Sequence, residues 1–488
     1  MAKFLIGLVT GVLLVFLTFI LLFFALLRLR EKPPQITDNS VLVLRLEGAL
    51  PEKPPVELPE FLGDRGGVTV AGVWMALKKA AADSHIKAVA LEPDGLSVGW
   101  GAMEEIRGDL EQFRKSGKPV FAYLRTPSTR DYYLALGADR IYLGPADQLY
   151  LKGLRAEMMY FKKTLDKLGV SVDVEHAGKY KDFGDMFTRS DMSPETREVM
   201  TSVVDDLYGG LVARISSARK KTPDEVRAII DSGPFTASRA LQAGLVDELR
   251  FEDQMWGELK TKLGGGEPKK VAVANYIKVP QEDAGIGGKS RVALLIGSGD
   301  IVRGDPSDDG SEDNLTSYGF NKLLHQVAND SMIRAVIVRI DSPGGEVTAS
   351  DEIWREMNLL SKKKPTVISM ADVAASGGYY MAMTGDPILA YPGTLTGSIG
   401  VVFGKPNLHG LYDKLGVSKD AIQRGKHADI DSDYTPLSPD EREMLRQGID
   451  ESYRDFVTKV ANARHRSFEQ IEPIAQGRVW LGDQAQPR

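Results

Sequence analysis

The chain has 488 residues, of which 43% are hydrophobic, and a formal net charge of −6. This length allows two to four domains with a sizeable core, and the acidic balance gives no reason to expect a nucleic-acid partner. The chain has no cysteine, which excludes disulfides, thiol catalysis and thiolate metal sites but leaves the cellular compartment open.

A stretch of twenty-four uncharged residues near the amino terminus, residues 4–27, predicts a membrane anchor. As a helix it would be roughly 36 Å long, enough to cross a bilayer with some tilt. Because no small-residue cleavage site is evident, we expect the anchor, residues 1–34, to stay uncleaved. One lysine precedes the stretch and three basic residues follow it, a balance that weakly favours a cytoplasmic body.

Alternating strand and helix patterns fill the rest of the chain. A polar, glycine-rich linker, residues 281–291, separates a first half, residues 35–280, from a second half, residues 292–488. A constant shift of 247 residues aligns residues 86–89 with 333–336, 166–171 with 413–418, and 178–179 with 425–426. The halves are therefore repeats, and they predict two α/β domains of one fold, each a parallel β-α-β stack.

Two motifs in the second half directly follow apolar runs that are typical of buried strands. Asp341-Ser-Pro-Gly-Gly345 follows residues 335–340, and Ala374-Ala-Ser-Gly-Gly378 follows residues 366–370. Neighbouring parallel strands would deliver both motifs to one edge of a sheet. There, a glycine amide and the amide after a serine can point at one oxygen, as an acyl-transfer oxyanion requires. This pattern predicts that Ser376 is a nucleophile.

A serine nucleophile needs a base, and the six histidines offer no obvious partner set. A lysine can serve if burial or a nearby cation lowers its pKa from about 10.4. Lys181 is the candidate, because the second repeat has Ala428 at that position, and Lys179 is the fallback. Plainer interpretations stay open: a solvated lysine, a small packing serine at Ser376, and an ordinary strand-ending turn at residues 344–345.

These residues resemble the signal peptide peptidase A family in its long, duplicated bacterial form, whose domains are similar to those of ClpP and the crotonases. The resemblance covers the chain from the anchor to the last residue. Besides the two motifs above, it rests on Gly393-Thr-Leu-Thr-Gly-Ser-Ile-Gly-Val401, Lys179-Tyr-Lys181 and Asp191-Met-Ser-Pro194. It implies tandem duplicated ClpP/crotonase-like α/β domains after an N-terminal transmembrane helix.

The resemblance also implies an activity and roles for individual residues. The protein would be a membrane-bound serine endopeptidase that degrades cleaved signal peptides and other apolar peptides with a Ser/Lys dyad. Ser376 would be the nucleophile, Lys181 the general base, and Ser398 would orient the lysine, while the amides of Gly345 and Gly377 would form the oxyanion hole. No metal cluster or phosphate-binding loop stands out, so no cofactor is expected.

The implied partners are signal-peptide remnants, other apolar peptides, the lipid bilayer through the N-terminal helix, and further copies of the chain in a homo-oligomer such as a tetramer. The family's catalytic body lies outside the cytoplasm. The resemblance therefore implies a single-pass protein of the bacterial inner membrane with a periplasmic body. The basic residues on either side of the anchor weakly favour the opposite orientation, and we follow the resemblance.

The repeats differ at their ends. The second repeat stops at Arg488, before any counterpart of residues 244–249 and of the helix pattern after them, from which we expect a truncated or frameshifted gene. Two other functional classes also stay open. A crotonase-type enzyme would use the Gly-Gly amides on a thioester oxygen without needing Ser376 or Lys181, and a membrane scaffold would be catalytically inert.

Overall fold

The computed structural model describes residues 7, 11, 14–18, 35–53, 67–288, 290–305 and 313–488. Most of the predicted anchor, residues 4–27, lies outside these residues. Across the described ranges, no helix is both long enough and apolar enough to cross a membrane.

The first half of the chain alternates strands with helices. Its strands are β1 (Ser40–Glu47), β2 (Ile86–Asp94), β3 (Val120–Leu124), β4 (Arg140–Leu143), β5 (Gln148–Leu149), β6 (Ser171–Ala177), β7 (Phe235–Thr236), β8 (Glu248–Leu249) and β9 (Lys269–Ala272). Its helices are Val70–Ala82, Trp100–Arg114, Thr129–Ala135, Lys162–Leu168, Asp185–Thr188, Pro194–Arg219, Pro223–Asp231, Ala237–Gln242, Glu252–Lys262 and Val273–Tyr276.

Six of these strands form a parallel sheet in the order β8-β4-β3-β2-β1-β9. The central strands are nearly continuous runs of Val, Leu and Ala that are buried on both faces, as parallel strands covered by helices on both sides require. The first repeat therefore has its own hydrophobic core.

The second half repeats this alternation. Its strands are β10 (Arg291–Ser298), β11 (Ile301–Val302), β12 (Leu315–Thr316), β13 (Ile333–Ser342), β14 (Thr366–Ala375), β15 (Ile388–Leu389), β16 (Leu395–Gly397), β17 (Val401–Asn407) and β18 (Val479–Leu481). Its helices are Ser317–Asn329, Val347–Ser361, Gly377–Met381, His409–Leu415, Pro439–Arg464, Phe468–Ile471, the 3₁₀ turn Glu472–Ile474, and Gly482–Ala485.

The second sheet has the order β10-β13-β14-β16-β18, and β15 also pairs with β14. Strands β13 and β14 are adjacent and parallel, with Ser342 opposite Ala374. This confirms the prediction that neighbouring parallel strands carry the two motifs to one sheet edge. At the far side, β18 runs antiparallel to β16, so the last residues of the chain extend the sheet beside the candidate nucleophile.

The two repeats are joined by a two-stranded ribbon rather than by packing alone. Strand β6 of the first repeat pairs antiparallel with β17 of the second, with Ala177 opposite Val401. Arg442 of the second repeat forms an ion pair of 2.6 Å with Asp173 on β6. Because Lys181 lies just after β6 and Ser398 just before β17, the ribbon brings these two side chains to the same end.

One face of the sheet differs between the repeats. The helix Glu252–Lys262 packs Met255, Trp256 and Leu259 onto the first sheet, where Val41 is fully buried. In the second sheet, Val292 occupies the position of Val41 in the strand pairing, and it is 56% exposed. On β15, which pairs with β14 of the same sheet, Leu389 is 61% exposed. The second sheet therefore has an open apolar face that the first sheet covers with its own helix.

Candidate active site

Ser376 lies at a tight turn between β14 and the helix Gly377–Met381. Its φ of 52° is in the left-handed region that non-glycine residues rarely adopt, so the turn is strained. Two backbone hydrogen bonds hold it: the Ser376 amide donates to the Gly397 carbonyl at 2.9 Å, and the Tyr380 amide donates to the Ser376 carbonyl at 2.8 Å. This strand–turn–helix geometry is the kind that exposes a nucleophilic hydroxyl at a sheet edge.

Lys181 reaches this serine from the other repeat within the same chain. Its Nζ lies 2.9 Å from Ser376 Oγ. It also lies 3.1 Å from the carbonyl oxygen of Ser398 and 3.0 Å from Ser398 Oγ. A neutral amine has two N–H bonds and one lone pair. The two oxygens of Ser398 can accept both N–H groups, which leaves the lone pair for the hydroxyl of Ser376.

The electrostatics of Lys181 suit a base. The residue is only 8% exposed, and burial, which disfavours the charged form, lowers its pKa to about 8, while the charge of Asp182 opposes this shift. At pH 7 about a tenth of the amine is therefore neutral, whereas an ordinary lysine with a pKa of about 10.4 is neutral in well under about a thousandth of molecules. The fallback lysine, Lys179, is exposed, and its Nζ lies over the ring of Tyr180 at 4.5 Å from the centroid.

The Gly-Gly turn packs directly against the Ser376 turn. The Ile301 amide donates to the Gly344 carbonyl and the Glu346 amide donates to the Ile301 carbonyl, both at 2.8 Å. Gly344 has a φ of 105°, and a Cβ there would lie 2.5 Å from the amide nitrogen of Gly377. The close approach therefore requires glycine at position 344.

Two amides at this contact are placed to bind an oxygen. Gly377 is the first residue of its helix, where amides have no intrahelical acceptor. The Gly345 amide has no hydrogen-bond acceptor in the part of the chain that the structure describes. A Cβ on Gly377 would lie 3.2 Å from the Gly345 nitrogen, so the two amides are close neighbours beside Ser376.

The structure thus brings together the residues that the sequence singled out: Ser376, Lys181, Ser398, Gly345 and Gly377. Their chemical roles remain predictions. Within the described ranges, no three His, Asp or Glu side chains are grouped so that they could hold a metal ion.

Sequence reasoning missed a further part of the site, the turn formed by Gln476, Gly477 and Arg478. Its backbone contacts both the segment that carries Lys181 and the segment that carries Ser398. A glycine just before a late strand was the only sequence signal for it, and such a glycine is common in ordinary turns.

Comparison with known proteins gives two family matches. The family model for Peptidase family S49 matches residues 112–264 and 358–488, and the model for Clp protease matches residues 293–394. The second match spans most of β10 and continues through β15, in agreement with a mixed α/β fold that contains ClpP-like domains.

Two curated relatives are similar to this chain over most of its length, and a third over less than half. "Serine protease SPPA, chloroplastic" from Arabidopsis thaliana is 35% identical over 463 residues, covering 93% of this chain and 67% of that protein. "Protease 4" from Haemophilus influenzae is 30% identical over 499 residues, covering 96% of this chain and 80% of that protein. "Putative signal peptide peptidase SppA" from Enterococcus faecium is 31% identical over 213 residues, covering 43% and 62%.

Proposed function

This chain belongs to peptidase family S49 and is a serine peptidase, and from that premise we propose that it cleaves peptide bonds with a Ser/Lys dyad formed by Ser376 and Lys181. The observation that carries the proposal is the 2.9 Å separation between Lys181 Nζ and Ser376 Oγ. The burial of the amine supports it, because a lysine acts as a base only when it is neutral.

The proposed reaction has two steps. Neutral Lys181 removes the proton of Ser376 as the serine oxygen attacks the peptide carbonyl carbon. The resulting lysinium then gives that proton to the leaving amine as the C–N bond breaks, and an acyl-enzyme ester remains. In the second step, the same lysine activates a water molecule that hydrolyses the ester and regenerates the free serine.

Three other groups have supporting roles in this proposal. Ser398 accepts two hydrogen bonds from the amine and so directs its lone pair at Ser376. The amides of Gly345 and Gly377 stabilise the negative charge that develops on the carbonyl oxygen. The loss of one oxyanion donor typically costs about 3 to 4 kcal/mol of transition-state stabilisation.

We propose signal-peptide remnants and other apolar peptides as substrates. The support is the sequence resemblance, together with the name of the relative from Enterococcus faecium. The exposed position of Gly345 is consistent with access by an extended peptide.

The membrane anchor and the assembly are also part of the proposal. The uncharged length of residues 4–27 supports a single-pass anchor, and the resemblance supports a periplasmic body and a homo-oligomer. Fractionation of membranes, with a variant lacking residues 1–34 as the control, tests the anchor. Light scattering in detergent tests the assembly, and a monomer there would contradict the oligomer.

The activity is tested by hydrolysis of a fluorogenic apolar peptide from about pH 6 to about pH 10. The wild type should cleave, and Ser376→Ala and Lys181→Ala should not. Matched controls are Thr129→Ala, at the position of Ser376 in the first repeat, and Lys179→Ala, both of which should retain activity. If Ser376→Ala still hydrolyses a thioester, the chain is a crotonase-type enzyme. If the wild type, like the two variants, hydrolyses no peptide, the chain is a scaffold.

A further inference from the structure

The 476–478 turn, composed of Gln476, Gly477 and Arg478, lies between the 3₁₀ turn Glu472–Ile474 and β18. It belongs to the second repeat, yet its backbone sits where the lysine segment of the first repeat meets the Ser398 segment. None of its side chains reaches Ser376 within hydrogen-bonding distance among the described contacts, so any effect on the reaction must act through other residues.

Two hydrogen bonds connect the turn to the lysine segment. The Tyr180 amide donates to the Gln476 carbonyl at 2.8 Å, and the Lys179 amide donates to Gln476 Oε1 at 3.2 Å. The two residues that precede Lys181 are therefore fixed by Gln476.

Two further hydrogen bonds connect the turn to the other side of the dyad. The Ser398 amide donates to the Arg478 carbonyl at 2.8 Å, and the Gly477 amide donates to the Ile399 carbonyl at 2.7 Å. The same three residues thus hold both the segment that supplies the amine and the segment that accepts its N–H groups.

The contact is close enough to require glycine. Gly477 has a φ of 74°, and a Cβ there would lie 2.6 Å from both the Cβ and the amide nitrogen of Lys181. From the opposite side, a Cβ on Gly178 would lie 2.5 Å from the carbonyl carbon of Gln476, and one on Gly400 would lie 3.0 Å from the Cα of Gly477. Real Cβ atoms essentially never come within 3.0 Å of a backbone atom, so a side chain at 477 must displace either the lysine segment or the turn itself.

The turn is itself held in place. The Gln476 amide donates to Tyr453 Oη at 3.2 Å. Arg478 forms an ion pair with Glu198 on the helix Pro194–Arg219, which lies outside the lysine segment. The turn therefore acts as a fixed reference and does not simply follow the lysine segment.

We propose that the 476–478 turn is a positioning element that sets the separation between Lys181 and Ser376, and that Gly477 is the positioning residue that permits this separation. The inference rests on the proposed function, because it concerns the distance between the proposed base and the proposed nucleophile. It gives residues 476–478 a role in placing the proposed base next to the proposed nucleophile.

The test is Gly477→Ala in the full chain, with peptide hydrolysis measured across pH. Displacement of Lys181 from its buried position should lower kcat at least about a hundredfold with little change in KM. The remaining activity should require higher pH, because a solvated lysine regains its ordinary pKa. Gly477→Asn tolerates the left-handed backbone but still carries a Cβ, so it should be equally impaired.

The matched control is Gly416→Ala. Gly416 has a φ of 72° and nothing within 4 Å of the position of a Cβ, so this variant introduces the same backbone strain without the clash. Its kcat and pH profile should stay within about twofold of the wild type. Recovery of activity in Gly477→Asn would show that backbone strain, and not displacement of Lys181, is the cause, and would overturn the inference.

A milder variant covers the case in which Gly477→Ala does not fold. Gln476→Ala removes the acceptor for the Lys179 amide without adding atoms, and it should lower kcat about fivefold at unchanged KM. An unchanged kcat in Gln476→Ala, or in a folded Gly477→Ala, would contradict the positioning role. If Lys181→Ala itself keeps full activity, the proposed dyad fails instead, so the two failures are distinguishable.

Discussion

Replacement of Lys181 by methionine should remove a pH-dependent part of the protein's stability. Methionine keeps most of the apolar stem but cannot be charged. In the native protein the pKa of Lys181 is lowered from 10.5 to about 8, chiefly by burial. Between these two values the unfolded chain binds more protons than the native chain, so the contribution of this group to stability rises with pH.

The size of the effect follows from the same two pKa values. Their difference corresponds to about 3 kcal/mol, and no discount for solvent screening is needed because the residue is only 8% exposed. We expect the free energy of unfolding of the wild type, minus that of Lys181→Met, to increase by about 3 kcal/mol between about pH 7.5 and about pH 10.5. Subtraction of the variant removes the contributions of the other titrating groups.

Urea titrations of both proteins at several pH values measure this difference directly. Lys179→Met is the matched control: Lys179 is exposed and its contact with Tyr180 raises its pKa, so its difference from the wild type should stay flat or fall slightly across the same range and should not rise. A flat difference for Lys181→Met as well would show that the amine is solvated in the native protein. Lys181 would then keep the pKa of an ordinary lysine, and the reasoning that makes it a base near neutral pH would be refuted.

Other changes give separate outcomes. Ser398→Ala removes one acceptor of the Lys181 amine, so kcat should fall about tenfold at unchanged KM, and a tenfold rise in KM at unchanged kcat would instead indicate a role in substrate binding. Asp182→Asn removes the charge that raises the pKa of Lys181, so the basic rise of the pH–rate profile should move to lower pH; a move to higher pH would contradict the assigned electrostatics. Val41→Ala, at a fully buried position, should cost about 2 kcal/mol more in unfolding free energy than Val292→Ala, as measured by urea titration, and equal costs would mean that the open face of the second sheet is covered in solution.

Much of the sheet edge could be predicted because the sequences of its strands contain continuous apolar runs. The motif strands extend a little further than the patterns suggested, and β14 continues to Ala375, directly before Ser376. The small residues at its end are not typical of strands, but pairing with β13 and β16 on either side overrides their weak propensity. Lys181 was identifiable because the repeat supplies an internal comparison for a single residue type.

The parts that could not be predicted depend on contacts between distant segments. The ribbon of β6 and β17 joins two strands with mostly half-exposed side chains, and such strands lack a clear periodic signal. Glycine is required at position 477 because Lys181 lies so close to it. The sequence around Gly477 does not show this contact, since Lys181 is distant in the chain. The anchor prediction falls mostly on residues outside those that the structure describes, so it stays a prediction.

The most direct test of the Ser/Lys dyad is to label the protein with a fluorophosphonate and to locate the adduct by mass spectrometry of its peptides. The account predicts a single adduct on Ser376, formed at a rate that rises with one group of pKa about 8 and that is lost in Lys181→Met. An adduct on another residue, or a rate on Ser376 that is the same in Lys181→Met as in the wild type, would contradict the dyad.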